Sequence, residues 1–320
     1  MISNTTVDNS AQINVFVRNL KRTNGFAGQP DRLEITGSTF TNAGDNSAGD
    51  NVTVSLRDDA SNSGANFQTV VSGSTFSGVN GEIADGIQID AGLNAKSQVS
   101  ISSSSFNNNT AINISGANNS TTLFDVLNNS SILADGGQGI NVAVNGTASM
   151  TGTIADNIID SFNANNPGFG IDAVVDATGS LTIDIDNNTV SDFSIPVRAG
   201  ARNGGTGTAN VIIRNNTLNS GGGFAFGAVW VFSGNGSGGE SNDVCVNLTG
   251  NFANDPFGTP EYYVEQYPGN AFDLQGYAGS ATSQSAIQTF IEVNNVAGDA
   301  LVETCCGTSA NFGNSVCPTP

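Results

Sequence analysis

The sequence predicts an all-β protein, a parallel β-helix (β-solenoid) of about nine coils with a disulfide-stabilised C-terminal cap. Three observations support this fold. A six-residue frame recurs nine times, short runs of alternating apolar residues lie between its copies, and Asn and Gly contribute 43 and 40 of the 320 residues. Alternation with period two is typical of strands, and helical periodicity is nearly absent before residue 280.

The recurring frame reads apolar, any residue, turn residue, small polar residue, any residue, apolar. Its first position is Ile, Val or Leu and its last is apolar in all nine copies. Its third position is Asn, Gly, Asp or Ser, residues that tolerate left-handed backbone. The last positions lie 26 to 36 residues apart. The copies begin at Ile2, Ile35, Val71, Ile101, Leu127, Ile154, Ile185, Ile213 and Leu248.

Strands this short cannot bury their apolar faces alone, but successive coils stacked on one another bury them continuously. Each strand would pair with its counterpart one coil away at about 4.8 Å, so the coils would form a rod of roughly 40 Å. The aliphatic first positions should therefore point inward and stack. The predicted core ladder includes Ile35, Val71, Ile101, Ile154, Ile185 and Ile213.

The fourth position of the frame predicts a second ladder, of hydroxyl and then amide side chains. Amides stacked at strand spacing can bond to one another and to the turn backbone. The simpler interpretation is that each Asn pair is a surface turn. The fourth-position residues are Thr5, Ser38, Ser74, Ser104, Ser130, Asn157, Asn188, Asn216 and Asn251.

A β-sandwich and a β-propeller are the alternative folds, because both have strands separated by regular turns. Propeller blades need about 40 residues and carry a recurring signature, whereas this chain has one Trp, Trp230. The short and variable intervals favour the solenoid.

Two of the frames, at 185–190 and 213–218, resemble the coils of right-handed parallel β-helix repeat proteins of the pectate-lyase-like superfamily. The segment from 244–251 through 272–279 resembles the C-terminal end of large bacterial secreted or surface β-helix repeat proteins. The resemblance covers nearly the whole chain. It implies right-handed coils and a location on or outside the cell, and it says little about activity.

The charge of the chain excludes several partners. There are 28 acidic and 9 basic residues, a formal net charge of −19, and no His. Such a surface repels nucleic acid and anionic membranes, and the commonest general base and metal ligand is missing. No window of 18 apolar residues occurs, so we expect no membrane span.

The four cysteines lie late in the chain, at Cys245, Cys305, Cys306 and Cys317. An even number at one end favours two disulfides and an oxidising, extracellular setting; four free thiols are the alternative. Three connectivities are open, but the adjacent pair is not expected to bond to itself. Because Cys245 lies in the last coil, one bridge should join cap and rod. The first residues lack the regions of a signal peptide, so we expect a longer parent protein.

We expect two domains, the β-helix repeats over 1–253 and a C-terminal cap with a short helix over 254–320. Ile287, Phe290 and Ile291 lie at helical spacing. A cap is expected because the end of a solenoid exposes strand edges and an apolar cross-section. The aromatic segment 261–267 should pack in this cap, with a sugar-stacking platform as the alternative.

Two arrangements are candidates for catalysis: paired carboxylates, and a lyase-like site formed by Arg198, Arg202 and Arg214. Asp184 and Asp186 should share the outward face of one strand at about 7 Å, a separation compatible with two-carboxylate glycoside hydrolysis. The alternative pairs are Asp172 with Asp176 and Asp85 with Asp90. Acidic surfaces also place Asp residues in this way, and the nearby Arg198, Arg202 and Arg214 should form surface ion pairs. We therefore predict no enzymatic activity.

We predict no cofactor, and weak Ca²⁺ contacts at acidic loops remain an alternative. The glycine-rich Ca²⁺ nonapeptide and the EF-hand loop are both absent.

The predicted function is an extracellular structural or adhesive module of a cell-surface or secreted repeat protein, with a fibre subunit as one form. Its partners would be a second copy, or upstream repeats, at the open first coil, and glycans or other surface proteins. Binding surfaces are expected on the loops 41–51, 58–67 and 221–226. The alternative function is a β-helical polysaccharide lyase or glycoside hydrolase.

Overall fold

The computed structural model describes residues 1–8, 13–18, 31–41, 49–56, 66–78, 85–162, 168–221, 226–236, 238–305 and 310–320. These residues form a right-handed parallel β-helix, which confirms the predicted fold class. Three parallel sheets run along the molecule and enclose one apolar core. Among the described residues, no helix is long and apolar enough to span a bilayer.

The described residues form thirty strands and one helix. In chain order they are β1 Ile2–Ser3, β2 Thr6–Asp8, β3 Val15–Arg18, β4 Asp31–Thr36, β5 Thr39–Thr41, β6 Val52–Leu56, β7 Asn66–Ser72, β8 Thr75–Ser77, β9 Asp85–Ala91, β10 Lys96–Ser102, β11 Ser105–Asn108, β12 Thr110–Gly116, β13 Thr121–Leu127, β14 Ser131–Ala134, β15 Gln138–Gly146, β16 Ser149–Ala155, β17 Ile158–Ser161, β18 Phe169–Ala177, β19 Ser180–Asp186, β20 Thr189–Phe193, β21 Ile195–Arg202, β22 Thr208–Arg214, β23 Thr217–Ser220, β24 Val229–Ser233, β25 Asp243–Thr249, β26 Phe252–Asn254, β27 Tyr262–Gln266, β28 Ala271–Leu274, α1 Gln284–Asn294, β29 Ala300–Thr304 and β30 Phe312–Gly313.

Each of the first nine coils contributes one strand to each sheet in turn. Sheet A has eleven strands, in the order β1-β4-β7-β10-β13-β16-β19-β22-β25-β28-β30. Sheet B has nine, in the order β2-β5-β8-β11-β14-β17-β20-β23-β26. Sheet C has ten, in the order β3-β6-β9-β12-β15-β18-β21-β24-β27-β29. The nine frames of the sequence are the nine A-to-B corners, because each frame spans the end of an A strand and the start of a B strand.

Equivalent residues of successive coils lie directly above one another. In sheet A, Ile154 is paired with Ile185, and Ile185 with Ile213. The six residues of the predicted core ladder are all fully buried, since Ile35, Val71, Ile101, Ile154, Ile185 and Ile213 each have 0% exposure. In sheet B the rings of Phe40, Phe76 and Phe106 form a stack inside the rod, with centroids 5.1 and 4.9 Å apart.

The fifth coil departs from the frame by one residue. Val126, not Leu127, is paired with Ile101 and Ile154, and Leu127 is only half buried. The corner from Val126 to Ile132 therefore has one residue more than its neighbours. The extra residue is absorbed in the turn, so the strands on both sides keep their register.

The third position of the frame turns the chain sharply. Its backbone is left-handed in eight copies, with φ between 48° and 69°, and in the fifth coil the left-handed residue is Asn128 with φ 56°. Residues with a β-branched or bulky side chain are strained there, which explains the restriction to small and amide residues. The residues concerned are Asn4, Gly37, Gly73, Ser103, Asp156, Asn187, Asn215 and Gly250.

Sheets A and C continue into the segment 254–320. β27 and β29 extend sheet C, β28 and β30 extend sheet A, and sheet B ends at β26. α1 contains the three residues whose spacing predicted a helix, and its N-cap is Ser283, whose Oγ accepts from the Ala286 N–H at 3.3 Å. Ile287 and Ile291 of α1 are fully buried against the end of the core.

A disulfide joins Cys245 of β25 to Cys317, 72 residues later. The predicted covalent link between the last coil and the C-terminal segment is confirmed. Cys305 is also disulfide-bonded, and Cys306 lies outside the described residues.

Candidate functional site

The amide ladder occupies the A-to-B corner, inside the rod. Asn157 Nδ2 donates to Asn188 Oδ1 at 3.0 Å, Asn188 to Asn216 at 3.0 Å, and Asn216 to Asn251 at 3.0 Å. Each amide also donates to a strand carbonyl, as Asn188 does to Ile154 O at 2.9 Å. Each Oδ1 accepts from a backbone N–H as well. The ladder residues are at most 1% exposed, so these bonds satisfy the buried backbone of the turns.

Hydroxyl side chains continue the ladder towards the first coil. The backbone N–H of Ser38 donates to Ser74 Oγ at 3.1 Å, and that of Ser74 to Ser104 Oγ at 3.2 Å. The fifth member is Asn129 rather than Ser130, because of the longer turn in that coil. At the other end Asn251 donates to Asn295, which follows α1.

The Asp184 and Asp186 carboxylates share one cation. Arg214, in the next coil, lies 2.8 Å from Asp184 Oδ2 and 3.1 Å from Asp186 Oδ2. Burial raises the pKa of Asp184, and the Arg214 charge opposes this rise. With both carboxylates on one guanidinium, neither is placed as a free nucleophile or base. The pair is an ion-pair cluster on the outer face of sheet A.

Asp172 and Asp176 are paired in the same way with the next coil of sheet C. Arg198 donates to both oxygens of Asp172, at 2.8 and 2.6 Å, and Arg202 Nε lies 2.8 Å from Asp176 Oδ1. The three arginines therefore form ion pairs, as predicted, but the Arg198–Asp172 pair is nearly buried, with side-chain exposures of 12% and 6%, and is not the surface pair that was expected.

The third carboxylate pair has no cation beside it among the described residues. The pKa of Asp85 is raised to about 7, first by burial and then by the neighbouring Asp50 and Asp90 carboxylates, against a hydrogen bond from Asn113. Asp50 Oδ1 accepts from the Asp85 N–H at 3.3 Å, and Asp90 accepts from Ser115 Oγ at 2.6 Å. This cluster holds a carboxyl that is partly protonated at neutral pH.

An aromatic cluster covers the outer face of sheet C in the later coils. Trp230 and Tyr263 are register partners on β24 and β27. The Phe226 ring stacks on Trp230 with centroids 4.3 Å apart, and it meets Tyr263 edge-on at 5.2 Å. The Arg198 guanidinium lies 3.8 Å from the centroid of Phe169. The cation of the Asp172 pair is therefore also held by an aromatic face.

Acidic groups flank this aromatic cluster. Tyr263 donates through its hydroxyl to Glu303 Oε2 at 2.5 Å. Glu265 is paired with Phe232 on one neighbouring strand of sheet C and with Glu303 on the other. Its side chain is only 8% exposed, and this burial raises its pKa.

The cluster opens into a cleft of about 260 Å³. Its lining is Gly136, Gly137, Gln138, Gly168, Phe169, Ser194, Ile195, Phe226 and Trp230. Phe226 ends one of the three loops for which binding surfaces were predicted; the loops 41–51, 58–67 and 221–226 otherwise lie largely outside the described residues.

The sequence did not predict this cleft, because its rings come from two coils that are not adjacent, Phe169 from the coil of β18 and Phe226 and Trp230 from that of β24. Only the register of β18, β21, β24 and β27 brings them together. The alternating segment 261–267 did indicate that some of its aromatic side chains face outward. Tyr262 points into the core with 0% exposure, whereas Tyr263 faces outward to Phe226.

Within the described ranges, no three His, Cys, Asp or Glu side chains come together as a metal site. No protein-family model, curated protein or solved structure matches this chain.

Proposed function

We propose that this chain is a rigid extracellular module, structural or adhesive, of a secreted or cell-surface repeat protein. The observation that carries the proposal is the buried ladder that links successive coils. From Ser38 to Asn129 the backbone N–H of each ladder residue donates to the side chain of the next coil, and from Asn129 to Asn295 the side-chain amides also bond to one another. A rod held by such bonds keeps the distance between its ends under load. The Cys245–Cys317 bridge supports an oxidising compartment.

The resemblance of the coils to pectate-lyase-like β-helices, and of 244–279 to the ends of bacterial surface repeat proteins, supports the same proposal. A location outside the cell and a bacterial origin both rest on this resemblance.

Single-molecule pulling between residues 1 and 320 tests the proposed structural role. We expect the rod to hold its length and then to yield in discrete steps, each releasing one or a few coils of about 31 residues. Smooth extension at low force, without steps, would contradict a load-bearing role.

Bead adhesion tests the proposed adhesive role. Beads coated with the chain should adhere to surfaces carrying defined glycans or purified surface proteins, and beads coated with heat-unfolded chain should not. Equal retention of both kinds of bead would reject an adhesive function.

A polysaccharide hydrolase is the second candidate, and one observation favours it. Asp85, with its pKa near 7, stands beside the Asp50 and Asp90 carboxylates, and a protonated carboxyl beside an ionised one is how glycosidases supply their acid. Turnover should be measured on neutral and acidic glycans, with Asp85→Asn as the decisive variant. Asp184→Asn and Asp186→Asn test the pair named from the sequence. Turnover that Asp85→Asn abolishes would replace the adhesive proposal.

A further inference from the structure

The lining of the sheet C cleft has two chemically different parts. Phe169, Phe226 and Trp230 contribute three aromatic rings, and Ile195 adds an aliphatic side chain. The remaining residues contribute three glycine peptide groups, the Ser194 hydroxyl and the Gln138 amide. Gln138 Oε1 accepts from Thr110 Oγ1 at 3.2 Å, which holds that amide in place. The cleft therefore offers apolar rings to one face of a ligand and hydrogen-bonding groups to its rim.

The cleft favours a neutral ligand. None of its nine lining residues carries a charge. The nearest cation, Arg198, is already engaged by both oxygens of Asp172 and by the Phe169 ring. Glu265 and Glu303 lie on the next strands of sheet C, β27 and β29, and the whole chain has a formal net charge of −19. An anionic ligand would be repelled, and a cation would find no counter-charge in the lining.

The size of the cleft limits the ligand to about one ring. Sites for drug-sized molecules span about 300–1,000 Å³, and this cleft has about 260 Å³. A sugar ring has an apolar face of C–H groups and a rim of hydroxyls, which matches both parts of the lining. We propose that the cleft binds one ring of a neutral carbohydrate. The inference rests on the proposed adhesive function and names the ligand class of that function.

A flat aromatic compound would also stack on these rings, but it would leave the amide, hydroxyl and peptide groups of the lining without partners. Burying such groups unpaired costs about 1–3 kcal/mol each. The sugar is therefore favoured, and aromatic binding becomes an outcome of the test.

Trp230 is the only tryptophan of the chain and lines the cleft, so its fluorescence reports on occupancy. The full chain is titrated with neutral gluco-, manno-, galacto- and xylo-oligosaccharides, with oligogalacturonate, and with indole followed by calorimetry. We expect saturable binding of at least one neutral sugar, weaker or no binding of oligogalacturonate, and no binding of indole.

Variants locate the binding. Phe226→Ala should weaken it at least tenfold, and Gln138→Ala, which removes no core side chain, should also weaken it. Trp230→Phe should keep part of the affinity in calorimetry. Phe257→Ala is the control, since Phe257 is 56% exposed and does not line the cleft.

Three results would overturn the proposal: no saturable binding of any neutral sugar, preference for indole or oligogalacturonate, or an unchanged affinity in both Phe226→Ala and Gln138→Ala. Bead adhesion separates the two proposals. If these variants lose sugar binding and their beads still adhere, adhesion uses another surface. If the wild-type chain adheres without binding sugar, only the cleft assignment fails.

Discussion

Single side chains in this protein act mainly through their neighbours one coil away. Asn188 donates to Asn216 and to Ile154 O, and it accepts from both the backbone and the side chain of Asn157. Because one residue serves two adjacent coils, its removal leaves buried groups unpaired in both of them. Substituting a ladder residue should therefore lower the free energy of unfolding by more than the loss of one hydrogen bond would.

Asn188→Ala should destabilise the protein by about 2–4 kcal/mol, since it leaves the Asn157 N–H and the Ile154 carbonyl buried without this partner. Urea unfolding measures the change. Asn119→Ala is the control, because Asn119 is exposed and bonds to exposed side chains, donating to Asn94 at 3.4 Å and accepting from Thr147 Oγ1 at 2.5 Å; we expect a change below about 0.5 kcal/mol there. Equal effects of the two variants would show that the ladder does not bear on stability.

Asp85 should make stability fall as pH rises. Its folded-state pKa of about 7 lies above the ordinary value of 3.8, so the folded protein binds a proton that the unfolded chain releases. The stabilising effect of that proton is fully present below pH 4 and is lost between about pH 4 and 7. Around the carboxyl lie Asp50, Asp90, Asn113 and Thr110.

Asp85→Asn should remove this dependence, and its stability relative to wild type should rise by a few kcal/mol between pH 4 and pH 8. Urea unfolding at both pH values measures it. Asp125→Asn, at an exposed position of β13, should show no such rise. A constant difference between Asp85→Asn and wild type would contradict the raised pKa.

At the scale of elements, each strand has an inner and an outer face, and the two faces tolerate different residues. Ile185 on β19 is 0% exposed, whereas Leu123 on β13 is 48% exposed in the same sheet. Position within the alternation, and not residue type, decides burial here.

Ile185→Asp should destabilise by several kcal/mol, because it places an unpaired carboxylate in the core. Leu123→Asp, the same kind of change on the outer face, should alter stability by less than about 1 kcal/mol. Melting temperatures compare the two. A retained melting temperature for Ile185→Asp would mean that the inward assignment is wrong.

We expect the last residues, 310–320, to depend on the disulfide more than on sheet pairing. β30 has two residues, and Cys317 lies beyond it. Closing a loop of 72 residues stabilises by about 4 kcal/mol in the chain-entropy view. The double variant Cys245→Ser with Cys317→Ser should therefore raise hydrogen exchange over 310–320 far more than in β16 or β19. Uniformly faster exchange along the rod would instead indicate that the bridge supports the whole β-helix.

For the whole molecule, the first coil differs from those that follow it. Ile2, Val7, Val15 and Val17 are only partly buried, whereas the equivalent Ile35, Phe40, Val52 and Val54 of the second coil are fully buried. A further coil placed on the first would cover these residues and pair the edges of β1, β2 and β3. A second copy of the chain is one source of such a coil.

A head-to-tail filament predicts that sedimentation shows larger species as the concentration rises, and that Val17→Lys suppresses them. Electron microscopy at the same concentrations should show rods longer than one molecule. Separate short rods at every concentration would reject self-assembly through this coil.

Much of the fold was predictable from the sequence because a solenoid repeats one local rule. The aliphatic first position, the left-handed third position and the hydroxyl or amide fourth position are all required by the geometry of one corner. Because this corner recurs nine times, the sequence shows the pattern clearly. The prediction was wrong by one residue in the fifth coil, because the turn there has one extra residue. The inward position is Val126 instead of Leu127, and the ladder position is Asn129 instead of Ser130. Asp125, between Phe124 and Val126, is the local signal that Val126 points inward, whereas the frame begins one residue later.

The sequence by itself therefore determined the coil, because alternation and turn chemistry act over a few residues. The tertiary structure alone decided which outward side chains meet. The pairing of Arg214 with both Asp184 and Asp186, and the gathering of Phe169, Phe226 and Trp230 around one cleft, depend on loop lengths that set the register between coils some thirty residues apart. Outward residues carry no periodic signal, since burial does not constrain their type.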